Sequence, residues 1–378
     1  MSDTVVIDAN APLIVVGCGN TGSPFAALIP SIPGAGPVLF VDYDSYEAKN
    51  LVSQRILPCD VGKPKAAVQA RWLRRFGVRA TAAFVGRIED VPWGWLRGGI
   101  LVSCVDSRGA RLYMNQVAWR LGLPLVDVAV DGPDLLARVS VYLSGDDAPC
   151  LECAWHEGHY RNLAKEYHCD GSTAATAATN APSALGALAA GLQAIEVSAL
   201  LGTGLKAPAV SRQAMFDLRN QTCTVTRFTR NPACRFDHQR WDIRILDVRP
   251  EDVALGDVFA EAALSREPSA LSLEHRRFTR ALTCANGCGR IAIPLRLADR
   301  LTARQRLCRL CGERNIAAGF DLVDQLVLTE LSAAERRRSL AQLGLRPGDV
   351  FTVSAPDRSP VHLQLACNGF AHAPWRKV

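Results

Sequence analysis

"LIVVGCGNTGSP", residues 13–24, is the stretch whose reading decides the fold. An apolar run ends on Gly17, Gly19 and Gly22, and a helical spacing follows through Ala26 to Ile32. Glycines at those positions permit a tight turn and close backbone approach. A helix beginning there offers free N–H groups and positive potential, a combination suited to phosphate. The next apolar run, "PVLFVD", ends on Asp42, where a carboxylate can hold ribose hydroxyls, and Asp44 stands just beyond it.

Working outward, strand-like and helix-like stretches alternate over residues 12–145. After "PVLFVD" come a helix from Lys63 to Phe76, the strand "ILVSCVD", a helix from Arg108 to Leu121 and the strand "LPLVDVAV". Apolar runs of this length, separated by helical periods, predict an α/β fold with a doubly wound, Rossmann-like parallel sheet. Residues 180–202 read as a small-residue-rich helix, and "QAMFDLRNQTCTVTRFTR" as a hairpin across "RN" that extends the sheet in antiparallel fashion. The chain changes character near Trp241. The expected partition is a nucleotide-binding domain over residues 1–245, a linker with a short helix over 246–270, and a small zinc-binding α+β module over 271–378. In that module a helix followed by two strands, "SLAQLGLRPGDVFTVSAPDRSPVHLQLA", suggests a ubiquitin-like unit.

The 378 residues suit about two or three domains. A net charge of +6, spread along the chain, gives no nucleic-acid-binding tail. The apolar stretches are broken by proline, so no membrane span is expected. The acidic start is unlike a secretory leader, which places the protein in the cytoplasm. Thirteen cysteines, several in close pairs, point to metal ligation or thiol chemistry and away from disulfides.

A glycine loop with a ribose carboxylate serves a nicotinamide-dependent dehydrogenase as well as an ATP enzyme. The dehydrogenase, however, needs no further phosphate-directed cluster, and this chain has one: Asn50, Arg55 and Lys65, then Asp106 at the end of "ILVSCVD". Together with "GCGNTGSP", "VDYDSYEAKNL", "DVGKPKA", "CVDSRGARLYMNQ", "APCLECAW" and "LQAIEVSALLG", these residues make the chain resemble the ThiF/MoeB/HesA family of ubiquitin-activating-enzyme-like adenylyltransferases over roughly residues 12–240. That resemblance implies that Asp42 binds ribose, Asn50 and Lys65 contact phosphates, and Asp106 holds Mg²⁺. It also implies that ATP activates the C-terminal carboxylate of a ubiquitin-like or sulfur-carrier protein, with release of pyrophosphate. Many relatives carry an arginine where Ser53 stands, so Arg55, Arg108 or Arg111 is expected to serve the phosphates. A homodimer, and a ubiquitin-carrier-like enzyme as further partner, are implied in the same way.

Cys150 and Cys153 have the C-x-x-C spacing that lets two thiolates meet one ion. The family closes this site after a hairpin, and here "RNPACRFDHQRW" offers Cys234 with Asp237 or His238; His238 is preferred because neutral imidazole binds Zn²⁺ well. Cys284, Cys288, Cys308 and Cys311 read as a Cys₄ zinc ribbon. Cys169 stands where activating enzymes of this family can carry the thiol that takes the acyl group, and His168 or Lys165 could favour its thiolate. The competing readings are adenylation of a short peptide's C-terminus, an NAD-dependent dehydrogenase, and a non-catalytic partner of an activating enzyme.

Overall fold

The computed structural model describes residues 7, 10–166, 181–203, 208–262 and 269–367. In chain order the first part comprises β1 (Leu13–Val16), α1 (Gly22–Leu28), β2 (Val38–Asp42), α2 (Lys65–Arg75), β3 (Thr81–Val85), β4 (Ile100–Ser103), α3 (Arg108–Leu121), β5 (Leu125–Asp131), β6 (Leu136–Tyr142), α4 (Glu157–Glu166), α5 (Ser183–Leu200), β7 (Arg212–Asp217) and β8 (Thr222–Arg227). Every residue of β1, β2 and β4 is buried, as strands covered on both faces require. The eight strands run β3-β2-β1-β4-β5-β6-β7-β8. The first five are parallel, with Val15 opposite Phe40 and Val102, and the last three pair antiparallel.

This is the Rossmann-like sheet with the antiparallel extension that the sequence predicts, including the hairpin β7–β8. Two strands escaped the reading. β3 is a half-buried edge strand with two alanines, too weakly apolar to stand out, and β6 follows β5 through a tight Gly132–Leu135 turn. Strand order reverses between β1 and β4, so the loops after these strands diverge and leave a crevice at their carboxyl ends.

Helix α5 is apolar enough and long enough to cross a membrane, yet it packs against α1, β5 and β6, with Ala189, Ala190 and Val197 in the core. Its one buried amide explains why it sits here. Gln193 donates to the carbonyls of Ser103 (3.1 Å) and Val126 (3.2 Å), satisfying acceptors at the strand ends.

The second part contains β9 (Ile243–Leu246), α6 (Leu255–Glu261), β10 (Ala270–Ser272), β11 (Phe278–Cys284), β12 (Arg290–Leu297), β13 (Asn315–Ile316), β14 (Leu322–Val323), β15 (Gln325–Val327), β16 (Val350–Ala355) and β17 (Arg358–Leu365). One sheet runs β15-β10-β16-β17-β9, and a smaller one is built on β11. They share a core containing Phe259, Phe278, Phe351 and Leu363. β9, which straddles the expected boundary at residue 245 and was not read as a strand, pairs in parallel with β17, Ile243 opposite His362. Its two exposed residues, Arg244 and Ile245, hide that allegiance from a local reading. In the tail the two strands form as expected, but residues 340–344 make turns and not a helix.

The two parts are tied at several points. Gly94 N–H donates to Gly348 O (2.7 Å), Arg97 donates to Gln364 (3.1 Å), and the rings of Trp241 and His362 stack 3.9 Å apart.

Candidate functional site

At the carboxyl ends of β1–β4 lies a cavity of about 610 Å³, lined by Gly17, Gly19, Asp42, Asp44, Asn50, Lys65, Arg87, Asp106 and Arg111 among others. Its floor is the glycine turn. Gly17 has φ +88°, and a Cβ there would lie 2.5 Å from the Cys104 carbonyl oxygen; a Cβ on Gly22 would lie 2.0 Å from Gly17 O. Those two glycines are demanded by packing. Gly19 is different: a Cβ would meet only the Gln54 amide at 3.8 Å, so its small size leaves cavity space open.

Asp42, 9% exposed, organises the turn from the neighbouring strand. One carboxylate oxygen accepts from Cys18 N–H (2.7 Å) and the other from Asp44 N–H (2.8 Å). Burial pushes its carboxyl upward against the pull of the Asp44 N–H and the Lys65 ammonium. Tyr46 donates to Cys18 O (2.7 Å) and receives the Gln69 amide (2.7 Å), joining the turn to α2.

Lys65 begins α2, its backbone N–H on Asp44 O (2.8 Å) and its ammonium on the Asp44 carboxylate (3.0 Å). The side chain is 11% exposed. Burial disfavours its charge, but Asp42 and Asp44 outweigh that and hold its pKa above the ordinary lysine value. The turn before it is fixed by buried Asp60, which accepts from Leu57 N–H (3.1 Å) and pairs with Arg71 (2.6 Å).

Asp106 sits just ahead of α3, exposed at the cavity. Capping of α3 falls to Ser107, whose hydroxyl accepts from Ala110 N–H (3.3 Å), so Asp106 is not committed to it. Asn50 does two jobs: its side-chain oxygen accepts from Glu47 N–H (2.8 Å) in the local turn, and it lines the cavity.

The arginines fall otherwise than expected. Arg55 is exposed and is absent from the cavity lining, as is Arg108; the Arg55 backbone N–H is used on Ser23 Oγ (2.9 Å). Arg111 does line it, but its guanidinium is held by buried Asp127 (3.2 Å), which also takes Arg138 (2.9 Å) and the Ser103 hydroxyl (2.6 Å). Arg87, at the end of β3, lines the cavity and was missed with its strand. The signal was its place in "FVGRIED", immediately after a strand neighbouring β2.

The cysteines group as their spacing suggests. Cys150, Cys153, Cys234 and His238 bring their ligand atoms within 4.8 Å of one another, and so do Cys284, Cys288, Cys308 and Cys311. Cys153 Sγ lies 3.2 Å from His238 Nε2 and Cys150 Sγ 3.8 Å from Cys234 Sγ. Asp237, the alternative ligand, turns instead to Arg120, which also binds Glu274 (3.1 Å). The first cluster packs with Trp119 and Phe236, and Trp119 Nε1 donates to His238 O (2.7 Å), fixing the loop that carries the imidazole. Both sets suit a tetrahedral soft-metal site. Cys169 lies outside the described residues.

The ThiF family profile matches residues 9–236, more than half of the chain. The chain belongs to the ThiF family. Among curated proteins, its ThiF domain is similar to the mouse "Adenylyltransferase and sulfurtransferase MOCS3" (Mus musculus), 30% identical over 39% of this chain and 32% of that protein. It is also similar to "Ubiquitin-like modifier-activating enzyme 5" of Dictyostelium discoideum, 27% identical over 38% of this chain and 41% of the relative. The chain thus spans only about a third to two fifths of their lengths. Among solved structures, the microcin C7 biosynthetic enzyme MccB in complex with N-formylated MccA superposes with a TM-score of 0.50 at 19% identity, covering 60% of this chain and 67% of that one, a likeness of fold.

Proposed function

We propose that this chain uses ATP to adenylate the C-terminal carboxylate of a ubiquitin-like or sulfur-carrier protein, releasing pyrophosphate. One observation carries the reading: the glycine turn, Asp42, Lys65 and Asp106 line one cavity within a ThiF domain. The named activities of the mouse and Dictyostelium relatives support it.

In the reaction a carboxylate oxygen attacks the α-phosphorus, forming the acyl–O–P bond. The bond from that phosphorus to the bridging oxygen breaks, and the electron pair leaves with pyrophosphate. The attacking carboxylate is already ionised near neutrality, so no general base is required. The site must instead align two anions and offset their repulsion. Asp42 holds the ribose, the N–H groups of the glycine turn receive phosphate, and the persistent charge on Lys65 draws the triphosphate in. The carboxylate of Asp106, unpaired among the described residues, suits Mg²⁺, which would supply further charge neutralisation there. The two cysteine clusters suit structural Zn²⁺, because four protein ligands leave no open position. As a second step, the Cys169 thiolate displaces AMP from the acyl-adenylate to give a thioester. We place this chemistry in a cytoplasmic homodimer.

The test is substrate-dependent exchange of pyrophosphate into ATP, using small proteins that end in Gly-Gly and their isolated C-terminal peptides. Wild type should exchange with the folded proteins, and Asp106→Ala should lose about 100- to 1,000-fold. Exchange with peptides alone would redirect the reading to peptide adenylation, and NADH binding without ATP binding would overturn it.

A further inference from the structure

The strand order turns the cavity wall into a ruler. Reading β3-β2-β1-β4, the carboxyl ends present Arg87, Asp42, the Gly17–Gly22 turn and Asp106 in that sequence. On the nucleotide reading above, on which this inference rests, phosphates lie over β1 and β4 and the ribose over β2. The base must therefore extend toward β3. Tyr43 and Arg87 stand there, beside Ile88 and Glu89. Tyr43 follows Asp42 directly and is 60% exposed, and the Arg87 guanidinium lies 5.0 Å from the centre of its ring. The two strand ends are tied, Gly86 N–H donating to Asp42 O (3.2 Å), so the pair is held at a fixed offset from the ribose carboxylate. Arg111, the other cavity-lining arginine, is neutralised by Asp127, whereas no carboxylate pairs with Arg87 among the described residues.

We propose that Arg87, backed by Tyr43, is the residue that recognises the nucleotide base, its guanidinium plane offering a stacking face, and that it does not serve the phosphates. A planar cation spread over an aromatic ring is pre-organised to stack on a purine, which a flexible ammonium cannot do.

The test needs no knowledge of the carboxylate substrate. Binding of ATP, AMP and inorganic tripolyphosphate, which has no base, is measured by calorimetry on wild type, Arg87→Ala, Arg87→Lys, Tyr43→Ala and Tyr43→Phe. The expected result is that Arg87→Ala weakens ATP and AMP about tenfold and leaves tripolyphosphate unchanged. Arg87→Lys should restore little, Tyr43→Ala should cost a few-fold, and Tyr43→Phe nothing. Equal weakening of ATP and tripolyphosphate, or full rescue by lysine, would assign Arg87 to phosphate and overturn the inference. Unchanged ATP binding in Arg87→Ala would overturn it too. If wild type binds tripolyphosphate and ATP equally weakly, the nucleotide reading itself fails, a result separable from the others. Arg87 is exposed, so its variants should keep the wild-type melting temperature.

Discussion

Charged residues crowd two regions of this molecule, with opposite outcomes. In the cavity, Asp106 and Arg87 face open space. At the junction of the two parts, Arg300 and Asp349, both almost wholly buried, close on each other through two contacts. Arg276 adds a further contact to Asp349 (3.4 Å) and pairs with Asp299 (2.8 Å), while Arg300 reaches across to Asp90 O (3.2 Å). Nothing in the local sequence separates "CVDS" from "PGDV". What separates them is whether the fold supplies an opposite charge. For Arg300 and Asp349 it does, and the pair is structural; among the described residues no opposite charge pairs with Asp106 or Arg87, and theirs is left for a ligand. The Cys₄ cluster is a third case: its four sulfur atoms lie within 4.8 Å of one another, a set that suits a soft metal ion taken from solution.

That contrast can be broken by experiment. The largest effect should come from the ribbon, where Cys308→Ser should unfold the strands around β11. Limited proteolysis would show cleavage near residues 285–315 while the ThiF domain stays resistant. Next, Asp349→Ala strands a buried guanidinium, and urea unfolding should record a loss of about 3–5 kcal/mol with ATP affinity per folded molecule unchanged. If that variant instead abolishes ATP binding at full stability, the junction is not merely structural. Asp106→Ala should do the reverse, with no change in melting temperature and a fall in exchange rate equivalent to about 3–4 kcal/mol.

The smallest effect concerns pH. The Lys65 pKa is raised, so its favourable interaction with Asp42 and Asp44 is fully present below the ordinary lysine value and is lost only as pH rises through the raised one. ATP affinity should therefore stay flat from roughly pH 7 to 9. A decline across that range, retained in Lys65→Met, would assign the titration to another group.

Much of the site was legible because its residues lie at strand ends and helix starts, where periodicity and glycine punctuation are strongest. Gly17 follows β1 and Asp42 ends β2, while Gly22 and Lys65 open α1 and α2. Asp106 was legible too, though only the structure shows that Ser107 relieves it of capping. The arginines were illegible for the converse reason. Their long side chains reach wherever a partner lies, and for Arg111 the partner is Asp127 on another strand. Arg87 was lost with β3, whose alanines give little apolar signal. The pairing of β9 was illegible because its partner, β17, lies more than a hundred residues further along the chain.

By itself the sequence determined the parallel sheet, the nucleotide turn and the eight metal-ligand candidates, since each depends on spacing within a few residues or on the chemistry of a side chain. Tertiary structure alone decided that Asp237 turns to Arg120, that Arg87 borders the cavity while Arg55 does not, and to which sheet residues 243–246 belong. Those outcomes turn on electrostatic and hydrogen-bond partners brought together from distant segments. No local pattern encodes such partners, because the free energy that selects them exists only once the chain has folded.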